Sequence, residues 1–149
     1  MLTQHPTAVG IAAIGVIGLL MVATIGAHHR RITPEALASA IAGGDAPRIM
    51  DVRTTNEYAA GHIPGAIHIP YHTVWQRRGE IPGGVDAPIV VTCAHGPRAG
   101  MAAVQLRLLG YRNIVYLRGQ MAGWKRRGLP MDGGGRETVA PDGSRSQDR

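Results

Sequence analysis

An α/β fold, a parallel sheet with helices on both faces preceded by one transmembrane helix, is what this sequence predicts. Three observations carry that expectation. Short β-branched runs alternate with helical segments, the run Ile89-Val90-Val91-Thr92 has no polar interruption, and residues 7–27 hold no charged side chain. Strands alternating with helices build parallel sheets, and a strand apolar on successive residues is buried on both faces.

Taken in order, residues 1–6 are an N-terminal flank and residues 7–27 the membrane segment. A helix needs about 20 apolar residues to cross a hydrocarbon core. A secretory signal peptide would want a positively charged start, and Met1 to Pro6 contains neither Lys nor Arg. A retained anchor is therefore expected. Ala8 and Ala12 make a small-x-x-x-small pair, read as lipid-facing. Residues 28–31, His28-His29-Arg30-Arg31, form a juxtamembrane basic segment, which by the positive-inside rule stays cytoplasmic. The expected location is the cell inner membrane, single-pass, with the bulk of the chain on the cytoplasmic side. Two adjacent histidines without a third ligand read as interfacial rather than metal-binding.

Residues 32–131 read as one folded domain. Thr33-Pro34-Glu35 is a helix start, with Thr as N-cap, Pro at the first helical position and an acid in the first turn. That helix runs from Pro34 to Ala42 and stops at Gly43-Gly44. Arg48 to Val52 reads as a strand, Asn56 to Ala60 as a helical turn ended by Gly61, and Ala66 to Ile69 as a strand closed by Pro70. Ile89 to Thr92 is the central strand. Met101, Val104 and Leu108 then recur at helical spacing, with Gly110 just past the end. Asn113 to Leu117 gives a further strand and Met121 to Arg127 a last short helix. Residues 132–149 are polar, lack apolar periodicity and read as a disordered tail.

Composition narrows the function. The 149 residues carry a net charge of +6, from 16 basic and 10 acidic side chains, and Lys125 is the lone lysine. Phe is absent, aromatics make up 4% and the arginines are scattered, which speaks against nucleic acid. The single cysteine, Cys93, excludes an intramolecular disulfide and any cysteine-cluster metal site. Neither a cofactor nor a metal is expected. If Cys93 works, it works as one thiol.

Cys93 ends the most apolar strand and opens the segment Cys93-Ala94-His95-Gly96-Pro97-Arg98 before a helix. In parallel sheets sites lie at the carboxyl ends of strands, and a helix start offers unpaired N–H groups that favour a thiolate. Gly96 frees the backbone, and successive N–H groups can curl around the sulfur as an anion nest. Arg98 adds a fork of donors suited to an oxyanion.

These residues, together with Asp51-Val52-Arg53, Glu57-Tyr58, Gly61-His62-Ile63-Pro64-Gly65-Ala66, Leu117-x-Gly119 and Trp124, resemble the ordered signatures of the rhodanese-like family. The resemblance implies a sulfurtransferase. In that reading Cys93 takes a sulfane sulfur from thiosulfate or a thiol persulfide and passes it to a thiol or to cyanide. It implies Cys93 as nucleophile and carrier, Arg98 as anion binder, and the backbone of Ala94, His95, Gly96, Pro97, Arg98 and Ala99 as substrate cradle. Partners would be a small anionic donor, a thiophilic acceptor and the membrane through residues 7–27.

Related phosphatases and arsenate reductases place five residues between Cys and Arg, whereas this chain has four, so sulfur chemistry is favoured over phosphate. Asp51 and Arg53 are expected as structural support, as is His62 within its turn. His95 either donates to bound substrate or is a solvated side chain that tunes specificity. Trp124 is expected in the core. Gln120 departs from the family, which commonly has a second glycine there, and puts substrate preference in question. A different class remains as an alternative: a binding or regulatory module of the same fold that relays or senses persulfide sulfur for a membrane partner.

Overall fold

The computed structural model describes residues 30–134. The predicted span 7–27 and most of the predicted tail lie outside these residues. Among the described residues, no helix is long and apolar enough to cross a membrane.

Five strands, β1 (Arg30–Ile32), β2 (Arg48–Asp51), β3 (Ile67–His68), β4 (Ile89–Thr92) and β5 (Ile114–Leu117), form one sheet in the order β1-β5-β4-β2-β3. Every pairing is parallel. Four α-helices, α1 (Pro34–Gly43), α2 (Thr55–Ala59), α3 (Pro97–Leu108) and α4 (Gln120–Arg126), and two short 3-10 turns, Tyr71–Thr73 and Arg78–Glu80, complete the described fold. Helix α1 starts where Thr33 accepts a hydrogen bond from the Ala36 N–H, and stops at Gly44 with φ +79°. Helix α2 starts with a capping box between Thr54 and Glu57.

The sheet buries both faces, and its period-2 pleat sorts side chains between two cores. Ile89 and Val91 join Met50, Ile114 and the buried side of α3 in one core. Val90 joins Ile49, Leu117, Leu37 of α1, and Met121 and Trp124 of α4 in the other. All four β4 residues are buried, as the unbroken apolar run predicts.

Three features differ from the sequence reading. Arg30 and Arg31, expected in a juxtamembrane basic segment outside the folded domain, form an edge strand paired with Val115 and Tyr116. An edge strand tolerates charge because one flank needs no sheet partner. Helix α3 has the predicted spacing, but Met101, Val104 and Leu108 face solvent, with Leu108 73% exposed. Ala99, Ala102, Ala103 and Leu106 pack on the sheet instead. Small side chains let the helix axis approach the strands, so the residues whose spacing marks the helix are not the ones it buries. Finally, Asp132 and Gly134 are held by the fold: Asp132 exchanges both backbone hydrogen bonds with His62, and the Gly134 N–H donates to the Ala59 carbonyl.

Candidate active site

The first turn of α4 grips the start of the Cys93 loop. The Met121 N–H donates to the Cys93 carbonyl at 3.0 Å and the Ala122 N–H to the Ala94 carbonyl at 3.2 Å. From the other direction, the Cys93 N–H donates to Gln120 Oε1 at 2.8 Å, while Gln120 Nε2 donates to the Leu117 carbonyl at 2.9 Å. Gln120 is buried and stands at φ +54°, a left-handed angle that side chains other than glycine adopt at a cost. Its amide occupies both of its hydrogen-bond partners within the fold.

Cys93 itself is 1% exposed, with the Gly96 N–H donating to Sγ at 3.0 Å. An N–H aimed at sulfur is complementary to negative charge there. Gly96 has φ +131°, while a Cβ at that position would meet nothing within 4 Å. Backbone angle rather than crowding therefore demands glycine. Pro97 opens α3 at its first position, where a missing N–H costs nothing.

On the α2 side, charges are paired. Both terminal nitrogens of Arg98 donate to Glu57, at 2.6 and 2.8 Å. The Arg98 hydrogen bond, followed by bonds from Thr54, holds the Glu57 carboxyl far below the usual carboxylate range, and the same contact raises Arg98. Below them Asp51 and Arg53 form a buried ion pair at 2.5 Å, and Arg53 also donates to the Gly61 carbonyl at 2.8 Å. His62 stacks on Tyr58 with ring centroids 3.7 Å apart, and its Nδ1 lies 2.9 Å from the Tyr58 carbonyl. Burial, with Asp51 nearby, raises the Tyr58 hydroxyl.

Two pockets flank the loop and share His95. One, of about 340 Å³, is lined by Arg53, Glu57, Ala94, Met121 and Lys125 among others. The second, of about 440 Å³, lies between the β1–β5 edge and the start of α3 and includes Arg31, Gly96, Gly100, Tyr116 and Arg118. Among the described residues, no group of three His, Cys, Asp or Glu side chains is placed to hold a metal.

The profile of the rhodanese-like domain matches residues 33–127. The chain belongs to the rhodanese-like family. A sulfurtransferase of Allochromatium vinosum is 36% identical over 112 residues, covering 75% of this chain and 96% of that protein. The thiosulfate sulfurtransferase GlpE of Pseudomonas entomophila is 35% identical over 100 residues, covering 66% and 86%. The solution structure of the rhodanese-like domain of an Anabaena protein superposes with a TM-score of 0.64 at 26% identity, covering 82% and 94%.

Within this rhodanese-like domain the sequence-derived site residues separate into groups. Cys93, Ala94, His95 and Gly96 form the loop, with His95 exposed to both pockets. Arg98, expected to bind an anion, has both terminal nitrogens on Glu57 and so ties α3 to α2. Ala99, whose backbone is expected in the substrate cradle, has its side chain buried in the core. Asp51, Arg53 and His62 lie beneath the α2 flank and touch framework atoms. Trp124 is fully buried, and its indole N–H donates to the Pro130 carbonyl at 2.9 Å. Two residues of the site escaped the sequence reading. Glu57 was part of a recognised signature, but its pairing with Arg98 spans two helices, and Arg31 was hidden by its place after an apolar segment.

Proposed function

We propose that this chain is a membrane-anchored sulfurtransferase that carries sulfane sulfur as a persulfide on Cys93. The observation that carries the reading is the Cys93 sulfur at the carboxyl end of the central strand, with the Gly96 N–H directed at it. Kinship with proteins named sulfurtransferase supports the same chemistry. In the first half-reaction the Cys93 thiolate attacks the outer sulfur of thiosulfate. A Sγ–S bond forms, the donor S–S bond breaks, and sulfite leaves with the bonding pair. In the second, a thiolate or cyanide takes the outer sulfur and the Sγ–S pair returns to Cys93. Electrons balance without an added oxidant.

The uncharged run 7–27, followed by Arg30 and Arg31, supports an anchor with the catalytic domain facing the cytoplasm. Loading is tested by incubating the full-length protein with thiosulfate, then measuring a sulfur adduct on Cys93 by intact mass and thiocyanate on adding cyanide. Wild type is expected to give both and Cys93→Ser neither. Identical behaviour of the two proteins would end the catalytic reading and favour a binding module. Topology is tested with a reporter fused after Arg149; activity only outside the cytoplasm reverses the orientation.

A further inference from the structure

Two arginines beside the active loop carry charge that no described acid neutralises. The four ion pairs of the described residues engage Arg53, Arg77, Arg98 and Arg127, leaving Arg31 and Arg118 without a carboxylate partner. Strand register brings these two together. Arg31 lies opposite Tyr116 in the β1–β5 pairing, so both side chains stand on the α3 face of the sheet. Arg118, in the turn after β5, lines the same pocket as Arg31 and Tyr116.

Facing them across the pocket are His95 and Gly96 of the active loop and Gly100 of α3. A Cβ at Gly100 would meet nothing within 4 Å, so the missing side chain leaves that wall open. Among the described residues, no acid lines this pocket, whereas Glu57 lines the pocket on the opposite side of the loop. Its volume of about 440 Å³ falls within the roughly 300–1,000 Å³ of sites that enclose small organic molecules. Thiosulfate needs far less. Gly96 lines this space, and its N–H donates to the buried Sγ of Cys93 at 3.0 Å, so the sulfur lies just behind the pocket wall.

We propose that Arg31 and Arg118 form a carboxylate-binding subsite that selects, among sulfur acceptors, organic thiols bearing a carboxylate. The inference rests on the persulfide reading and names the substrate class for its second half-reaction. Guanidinium forks bind carboxylates through paired, charge-assisted hydrogen bonds. With its carboxylate held there, the acceptor brings its thiolate to the outer sulfur. The new S–S bond forms on the acceptor as the Sγ–S bond breaks and the electron pair returns to Cys93.

The test compares glutathione with its uncharged-carboxyl diethyl ester as acceptors for full-length protein already loaded on Cys93 from thiosulfate. Wild type is expected to prefer glutathione by at least about tenfold in kcat/KM, mainly through KM, and Arg31→Gln or Arg118→Gln to remove most of that preference. Arg112→Gln, an exposed arginine outside the pocket, serves as the charge control and is expected to keep it. Equal use of both thiols by wild type, or a preference that survives in the Arg31→Gln/Arg118→Gln double variant, overturns the subsite.

Loading is read first, so failure of the persulfide reading is seen separately. If wild type takes up no sulfur, glutathione is titrated into Cys93→Ser protein. Binding weakened about tenfold by Arg31→Gln and by Arg118→Gln then supports the subsite. Absent or unweakened binding overturns it.

Discussion

The two flanks of the active loop use the same residue type for opposite ends. On the α2 side Arg53 and Arg98 are bound to Asp51 and Glu57, and the four together with the Tyr58–His62 stack make a fixed wall. On the β1 side Arg31 and Arg118 meet no described carboxylate and border open space. Proximity of a positive charge to a reactive sulfur therefore says little about its availability to substrate. What decides availability is whether an acid elsewhere in the fold has already claimed the guanidinium.

The closed flank should break most severely where its ion pair is deepest. Asp51→Ala leaves the Arg53 charge buried without its partner, at an expected cost of about 3–5 kcal/mol in urea unfolding. Loss below about 1 kcal/mol would show that the wall does not depend on the pair. Next comes the floor between the flanks. Gln120→Ala removes the acceptor of the buried Cys93 N–H while keeping the left-handed backbone, for an expected cost of about 1–3 kcal/mol. Gln120→Gly loses the same acceptor but relieves the backbone, so it should be the milder of the two by about 1 kcal/mol.

A smaller effect is expected at Glu57, whose pair with Arg98 is partly solvated. Glu57→Gln should cost no more than about 1 kcal/mol at neutral pH. The sign with pH follows from the depressed Glu57 carboxyl. Its contribution is complete above the unfolded carboxyl pKa, near the ordinary value of 4.5, and is lost as pH falls toward the lower folded value. Unfolding curves of wild type and Glu57→Gln should accordingly converge in acid; a gap that widens there contradicts the assignment. The open flank gives the smallest change. Arg118→Gln has no ion pair to break and should shift stability by less than about 0.5 kcal/mol.

How much of this was legible in the sequence varied by element. The central strand Ile89–Thr92 was read to the residue, because four consecutive buried positions leave an unambiguous run. Helix α3 was found at its place, but the spacing that marks it does not show which face is buried. Leu108 and Met101 outweigh alanine on any hydropathy scale, yet alanines are what fit beneath a helix lying close to a sheet. Strand β1 was missed since Arg30 and Arg31 follow an apolar segment and look like its flank, and no local signal announces a three-residue edge strand. At the site, the Cys93–Arg98 spacing located the loop. It could not reveal that Glu57, 41 residues away, occupies the arginine. Gln120 was visible as a departure, whereas its two-ended hydrogen bonding is a property of the folded backbone.

The hydrogen bonds from Met121 and Ala122 to the carbonyls of Cys93 and Ala94 also give the molecule a built-in reporter. A sulfur added to Sγ adds bulk and moves the negative charge outward within one residue of those carbonyls, and the two amides are covalently remote from the cysteine. Their nitrogen and proton resonances in isotope-labelled protein should therefore register loading and discharge of a single sulfur atom, with no probe attached to the reacting thiol.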